Sequence, residues 1–289
     1  MAHISVFLEE AVGGLNLKKG DRAIDCTFGD GGHTQKMLDQ VGSEGKVLAI
    51  DTDLENINKG QKKFASNKNL VLVNDNFVHL KEIAETNNFL GVQGILMDLG
   101  WSTTQFEESG KGFSFLKDEP LDMRLGGGEL TAKEIINNWS EKELGQIFRE
   151  YGEERMWRQV AKAIVETRRR HPLETSGSLA LLIESLIGRG GSRLHPATKI
   201  FQALRIAVND ELNVLKQALP QALEILAPQG RIAVIGFHSL EDRIVKHFFQ
   251  KQAGKTLHLI NKKPIVVSAE ELHNNPRSRS AKLRIAEKI

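Results

Sequence analysis

Residues Arg22 to Asp51 constrain this chain more than any other stretch. Arg22-Ala-Ile-Asp25 is a short apolar run ending in a carboxylate, and Gly29-Asp30-Gly31-Gly32 follows within one tight turn. His33 to Val41 reads as a helix, and Lys46-Val-Leu-Ala-Ile50 as a buried strand because its apolar run is unbroken. Asp51 closes that strand, twenty residues after Gly31. Strand, glycine turn, helix, strand and terminal acid form a nucleotide-cofactor layout. The glycines let a ligand approach the backbone, and the acid accepts from ribose hydroxyls. A dinucleotide fingerprint wants another glycine five places after the first, for close packing of helix on strand. Here that residue is Thr34, which disfavours a pyrophosphate.

What remains, Asp25-x-Thr27-x-Gly29-x-Gly31, resembles the acid-x-Gly-x-Gly-x-Gly loop of S-adenosylmethionine (SAM) methyltransferases, with Thr27 at the first glycine position. The bland alternative is an ordinary turn after a strand. Ser5 to Leu17 reads as an amphipathic helix ahead of it. After Asp51 come a helix through Ile57 and Phe64, a third strand at Leu70 to Val73, a helix from Leu80 to Asn87, and a fourth strand from Gly94 to Met97 that ends in Asp98-Leu-Gly-Trp101. Phe77, just past the third strand, is placed either to flank an adenine ring or to fill the core.

Beyond Gln105 the rhythm changes. Residues 110 to 128 read as loop. Thr131 with Glu134 and Ser140 with Glu143 read as capping boxes, and Glu153 to Arg170 as one long charged helix whose cations either form a basic stretch or pair with its acids in a solvated face. A run of helices inside a βα series predicts an inserted helical domain at residues 106 to 204, within a core formed by 1 to 105 and 205 to 289. The βα rhythm resumes with a helix from Glu211 to Leu226 and a strand from Arg231 to Phe237. That strand ends in His238-Ser-Leu-Glu-Asp-Arg243, where Ser239 is expected to cap the next helix. Leu257 to Ile260 and Leu283 to Ala286 read as closing strands. The fold class is therefore α/β, a Rossmann-like, doubly wound sheet carrying a helical insert, and the loop's resemblance implies the methyltransferase form of that sheet.

Composition sharpens the function classes. The 289 residues hold one cysteine, Cys26, which excludes an internal disulfide framework and a thiolate zinc site. No metal site is evident, no apolar run approaches the roughly 20 residues of a membrane span, and a cytosolic protein is expected. Net charge is +2, but Arg243 to Ile289 holds eleven Lys and Arg against three acids, which is +8 and leaves −6 for the rest. A basic tail on an acidic body is either an electrostatic footprint for nucleic acid or a solvated surface segment.

A wider resemblance rests on many ordered motifs. They are Asp25-Cys-Thr-Phe-Gly-Asp-Gly-Gly-His33, Asp98-Leu-Gly100 with Gln105, Gly112-Phe-Ser-Phe115, Pro120-Leu-Asp-Met-Arg124, Tyr151-Gly-Glu-Glu-Arg155, His195-Pro-Ala-Thr198, Phe201-Gln-Ala-Leu-Arg205, Phe237-His-Ser-Leu-Glu-Asp-Arg243 and Asn275-Pro-Arg277. Together they resemble the bacterial 16S ribosomal RNA cytosine-N4 methyltransferases, the MraW or RsmH family. The resemblance implies SAM as cofactor, contacted by Gly31, Gly32, His33, Asp51, Phe77, Asp98 and Gln105. It implies as substrate the cytidine at position 1402 of 16S rRNA, in the decoding region of the small ribosomal subunit.

An exocyclic cytosine amine is a poor nucleophile because its lone pair is delocalised into the ring. Hydrogen-bond acceptors must localise that pair and hold it in line with the methyl group. Asp98 is the expected acceptor, and His238 the competing candidate for taking up the proton. Trp101 either stacks on the target base or is buried. Methylation at carbon 5 of a pyrimidine needs a cysteine nucleophile, and Cys26 lies in the cofactor loop. Two rival classes are an NAD-type oxidoreductase, weakened by Thr34, and a non-enzymatic RNA-binding protein, which would have no need of both Asp51 and Asp98.

Overall fold

A computed structural model describes residues 5–100, 109–188 and 195–289. The chain divides into two compact units, one formed by Met1–Ser102 with Leu212–Ile289 and the other by Thr103–Glu211.

In the first unit the elements run α1 (Leu8–Gly14), β1 (Arg22–Asp25), α2 (Gly32–Val41), β2 (Lys46–Asp51), α3 (Leu54–Lys63), β3 (Leu70–Asn74), α4 (Leu80–Thr86) and β4 (Val92–Asp98). They resume, after the second unit, with α10 (Glu211–Ile225), β5 (Leu226–Gly236), α11 (Ser239–Gln252), β6 (Leu257–Leu259), β7 (Ile265–Val266), α12 (Ala269–Asn274) and β8 (Lys282–Lys288). One sheet takes them in the order β3-β2-β1-β4-β5-β8-β6, with β7 also on β8. The first five strands are mutually parallel and β8 runs against β5. Crossover helices cover both faces, so the central strands are buried throughout. This is why β2 and β4 read as unbroken apolar runs rather than alternating ones. Ile24, Leu48, Ile50, Ile95 and Met97 pack one face; Ala23, Val47, Ala49 and Leu96 pack the other.

The order reverses between β1 and β4, so the carboxyl ends of β1, β2 and β4 gather beside one crevice. Those ends are Asp25, Asp51 and Asp98.

Three sequence expectations change. The strand expected from Arg231 begins at Leu226, so Pro228-Gln-Gly230 lies inside β5. Val92 pairs with Leu226, the register slips, and Gly94 pairs with Arg231, while Gln229 takes φ 63°. Helix α11 is capped by His238, whose side chain accepts from the Glu241 amide while Glu241 reaches back, and Ser239 is its first helical residue. Part of the basic C-terminal segment is not a solvated surface, because β8 is an interior strand. Arg284 is buried and, with Lys282, binds Asp242 at 2.7 and 3.2 Å. Lys288 Nζ donates to the carbonyls of Leu223 and Leu226 at 2.8 and 2.6 Å, closing the C-terminal end of α10.

The second unit holds α5 (Ala132–Asn138), α6 (Glu141–Glu150), α7 (Trp157–Arg168), α8 (Ser176–Ile187) and α9 (Thr198–Asn209). Both expected capping boxes are present, at Thr131/Glu134 and Ser140/Glu143. The long helix expected from Glu153 begins instead at Trp157. Glu153 sits at φ 46°, and a side chain at Gly152 would strike the carbonyls of Phe148 and Lys199, so the chain turns sharply there. Arg168 donates to the carbonyls of Ile136 and Trp139 at 2.6 Å each, a structural use of one of the insert's cations. Phe115 stacks on His195 at 4.4 Å and meets Phe201 edge-on at 5.1 Å, which joins three of the motifs within this unit.

Candidate active site

Thr27 binds two of the three strand-end acids together. Its hydroxyl accepts from the Asp98 amide at 2.8 Å and donates to Asp25 Oδ1 at 3.4 Å, while its own amide donates to the same Oδ1 at 3.1 Å. Thr34, the residue that breaks a dinucleotide pattern, donates its hydroxyl to Asp25 Oδ2 at 2.6 Å. Asp25 is fully buried, and burial, with Asp98 adding to it, raises its pKa to about 6 against the lowering by His33, Thr34 and Thr27. From sequence, Asp25 is a strand terminus and Thr27 a missing glycine. The signal that exposes their roles is a hydroxyl residue where the loop pattern expects no side chain.

Asp51 holds the glycine turn. Its Oδ2 accepts from the Gly29 amide at 2.8 Å and from Asn56 Nδ2 at 3.1 Å, and its Oδ1 from the Asp53 amide at 2.8 Å. A carboxylate has about four acceptor sites, so roughly one is left, on Oδ1. Burial raises its pKa against those three hydrogen bonds. Gly29 and Gly31 take φ 53° and 75°; a side chain on Gly29 would meet open space, whereas one on Gly31 would strike the rings of Phe28 and Phe64. The turn therefore presents bare backbone outward at Gly29 and is packed from behind at Gly31. Phe77 opens a one-turn 3-10 helix, Phe77–His79, capped by Asn76, and packs partly buried against the core. The open backbone, the residual acceptor on Asp51 and the half-buried ring fit a nucleoside with a short polar tail.

Asp98 Oδ1 accepts from the Gly100 amide at 3.0 Å, and Oδ2 lies 3.6 Å from His33 Nδ1. A side chain at Gly100 would run into the Phe237 ring at 2.6 Å and Asp98 Oδ1 at 2.9 Å, so the Asp98-Leu-Gly100 sequence answers to this close approach. The Asp98 side chain is 16 % exposed, enough to meet a ligand from one side. Buried His33 sits in the first turn of α2, with Nε2 3.0 Å from the Val6 carbonyl, and burial lowers its pKa even though Asp25 pulls the other way.

His238 is arranged differently. Its Nδ1 accepts from the Glu241 amide at 3.4 Å, and its Nε2 is 3.1 Å from Glu241 Oε1 but poorly aligned for a hydrogen bond. Both ring nitrogens thus face Glu241, whose Oε2 also accepts from the Phe237 and His238 amides at 2.7 and 3.2 Å. Cys26 is buried, and burial with the neighbouring Asp25 pushes its thiol up, away from a reactive thiolate. Gln105 and Trp101 lie outside the described residues.

The model of the MraW methylase family matches residues 1–289. Ribosomal RNA small subunit methyltransferase H of Dehalococcoides mccartyi is 45% identical over 305 residues, which cover 99% of this chain and 86% of that protein. The protein of the same name from Paenibacillus sp. is 44% identical over 313 residues, covering 99% of both. A solved structure from Clostridium thermocellum, described as a candidate rRNA methylase, superposes with a TM-score of 0.51 at 15% identity over 99% of each chain, a likeness of fold. With the family model matched from end to end and relatives this similar over nearly its whole length, the chain belongs to the MraW methylase family.

Proposed function

We propose that this protein transfers a methyl group from SAM to the exocyclic N4 amine of a cytidine, position 1402 of 16S rRNA, in the decoding region of the small ribosomal subunit, and that it works in the bacterial cytoplasm. Small-subunit rRNA methylation is supported by the names of its relatives. No helix among the described residues is long and apolar enough to cross a membrane. The observation that carries the N4 reading is Asp98, a partly exposed carboxylate at a strand end, anchored at its amide and at Oδ1 so that its position is fixed. Such an acceptor draws on an amine hydrogen, localises the nitrogen lone pair and gains strength as the amine becomes positive. The proposed cofactor contacts are Gly31, Gly32, His33, Asp51, Phe77, Asp98 and Gln105. Bound SAM supplies the electrophilic methyl; the chain's part is to hold the ribose at Asp51, keep the amine in line and accept charge at Asp98. His238 is the less suited proton acceptor, because using Nδ1 would break the cap of α11.

Asp51→Ala should weaken SAM binding by roughly 10- to 100-fold, the range of a hydrogen bond to a charged group, here together with a loosened Gly29 turn. Calorimetry measures it directly, and unchanged affinity would remove Asp51 from the cofactor site.

The helical unit, residues 106 to 204 by sequence pattern, is the proposed substrate-recognition domain, and Arg149 and Arg158 against Trp157, at 5.7 and 4.1 Å, offer it exposed cations. In the first unit Lys262, Lys263 and Arg279 are exposed. If these three meet phosphates, replacing all three by glutamine should flatten the dependence of log affinity for small subunits on log salt by about 2, since each phosphate contact on single strands contributes roughly 0.7. Filter binding across a salt series checks this, and an unchanged slope assigns the grip to other cations. The activity itself is tested by radiolabelled methyl transfer from SAM to purified small subunits.

A further inference from the structure

The His33–Asp98 contact has an unusual hydrogen inventory. His33 Nε2 lies 3.0 Å from the Val6 carbonyl, and a carbonyl can only accept, so Nε2 carries the ring's hydrogen. The neutral ring then turns a bare Nδ1 lone pair toward Asp98 Oδ2, 3.6 Å away. Two acceptors face each other with no proton between them. The position of the ring is fixed from behind: Phe7, at φ 55°, donates its amide to Glu271 Oε1 at 2.7 Å, which holds the segment carrying the Val6 carbonyl. Any side chain on Gly32 would strike Ser5 of the same segment.

We propose that His33 is the proton acceptor of the reaction, receiving through Asp98 the proton that the target amine must lose. This rests on the N4 reading above and goes beyond it by assigning the proton's destination. As the new nitrogen–carbon bond forms and the sulfur–carbon bond of the donor breaks, the amine nitrogen gives one of its hydrogens to Asp98 Oδ2. Asp98 passes it to His33 Nδ1, leaving a carboxylate beside an imidazolium, an ion pair in place of two opposed lone pairs. After product leaves, the proton returns through Asp98, the more exposed of the two at 16% against 5%, to water. Among the described residues, the charged or titratable groups facing the ring are Asp25 from β1, Asp98 at the end of β4 and Glu271 from α12, and each favours the imidazolium once formed. Burial acts the other way and holds the resting ring neutral, below its usual 6.5, which keeps Nδ1 ready to accept.

The test has two arms. In the free protein, nitrogen-15 NMR of the His33 ring should show hydrogen on Nε2 and a bare Nδ1 at neutral pH; the opposite tautomer overturns the proposal whatever any variant does. In the second arm, His33→Gln can still donate to the Val6 carbonyl but cannot take up a proton. Single turnover at saturating SAM on purified small subunits should slow by about 100-fold, the low end of general-base effects, a larger factor than any accompanying loss of SAM affinity. The wild-type rate should fall as pH drops through the His33 pKa, and the variant should lose that limb. A limb that persists unshifted belongs to a group other than His33, and it overturns the proposal, as does a normal rate or a loss confined to SAM affinity. Asp98→Asn in the same assay separates the two layers. Slow Asp98→Asn with normal His33→Gln defeats this inference alone, and normal rates for both defeat the N4 reading beneath it.

Discussion

Asp98→Asn is expected to slow methyl transfer by about 100-fold or more, the cost of removing one preorganised electrostatic group from a transition state. The substitution can keep both of the contacts described for this carboxylate. The asparagine carbonyl oxygen can keep the hydrogen bond from Gly100, and its amide nitrogen then points at His33 Nδ1, a bare acceptor that welcomes a donor. Folding and the turn should therefore survive, and the loss reports chemistry. What disappears is the negative charge that strengthens its hold as the amine gains positive charge, so turnover should fall much further than SAM affinity. Single-turnover rates and calorimetry on the same preparation measure the two. If Asp98→Asn turns over normally while His238→Ala is dead, the roles assigned to these residues are reversed.

Asp25→Asn is expected to stabilise the protein, by up to about 3 kcal/mol at pH 8. Burial raises the Asp25 pKa from 3.8 to about 6, so between those values the folded state holds a proton that the unfolded state has released. Its stabilising contribution is fully present below pH 3.8 and is lost as pH rises through about 6; above that, the cost follows from roughly 1.4 kcal/mol per pKa unit. Asparagine fits the same shell, because the Thr34 hydroxyl can accept as readily as it donates. Other carboxyls behave oppositely: hydrogen bonds from Arg124 and from Arg284 hold Asp122 and, against its burial, Asp242 below the usual range, so they lose stability as pH falls. The difference between wild type and variant across pH 4 to 8, by urea unfolding, isolates Asp25. Growth of that difference with pH means that the chain keeps a destabilising acid for function, since Asp25 and Thr27 fix the Asp98 amide. A difference that does not grow would mean that the buried carboxylate carries no such cost.

Much of this arrangement is legible in the amino-acid sequence. Parallel strands buried on both faces must be apolar throughout, so Lys46 to Ile50 and Gly94 to Met97 stand out, and the acids that end them mark the crevice. Capping boxes are legible because both partners lie within four residues. What sequence does not reveal is long-range. The hydrogen bond from the Asp98 amide to Thr27 spans 71 residues, and nothing in the spacing of either motif requires it. Asp51 reads as a two-armed ribose acceptor, but three protein donors already use most of its capacity, a matter of local geometry that a strand-end position does not specify. The tail misleads for a related reason: charge counts ignore pairing, and Lys282, Arg284 and Lys288 are engaged inside the fold. His238 and Ser239 are both competent helix caps, and a shift of one residue decides between them.

The central claim, methylation of a cytosine amine in 16S rRNA, is tested most directly by nucleoside-resolved mass spectrometry. Small subunits from cells lacking the protein, incubated with the purified protein and SAM, should gain N4-methylcytidine at position 1402 and nowhere else. Methyl on carbon 5 of the base, methyl at a different nucleotide, or no methyl at all would contradict it.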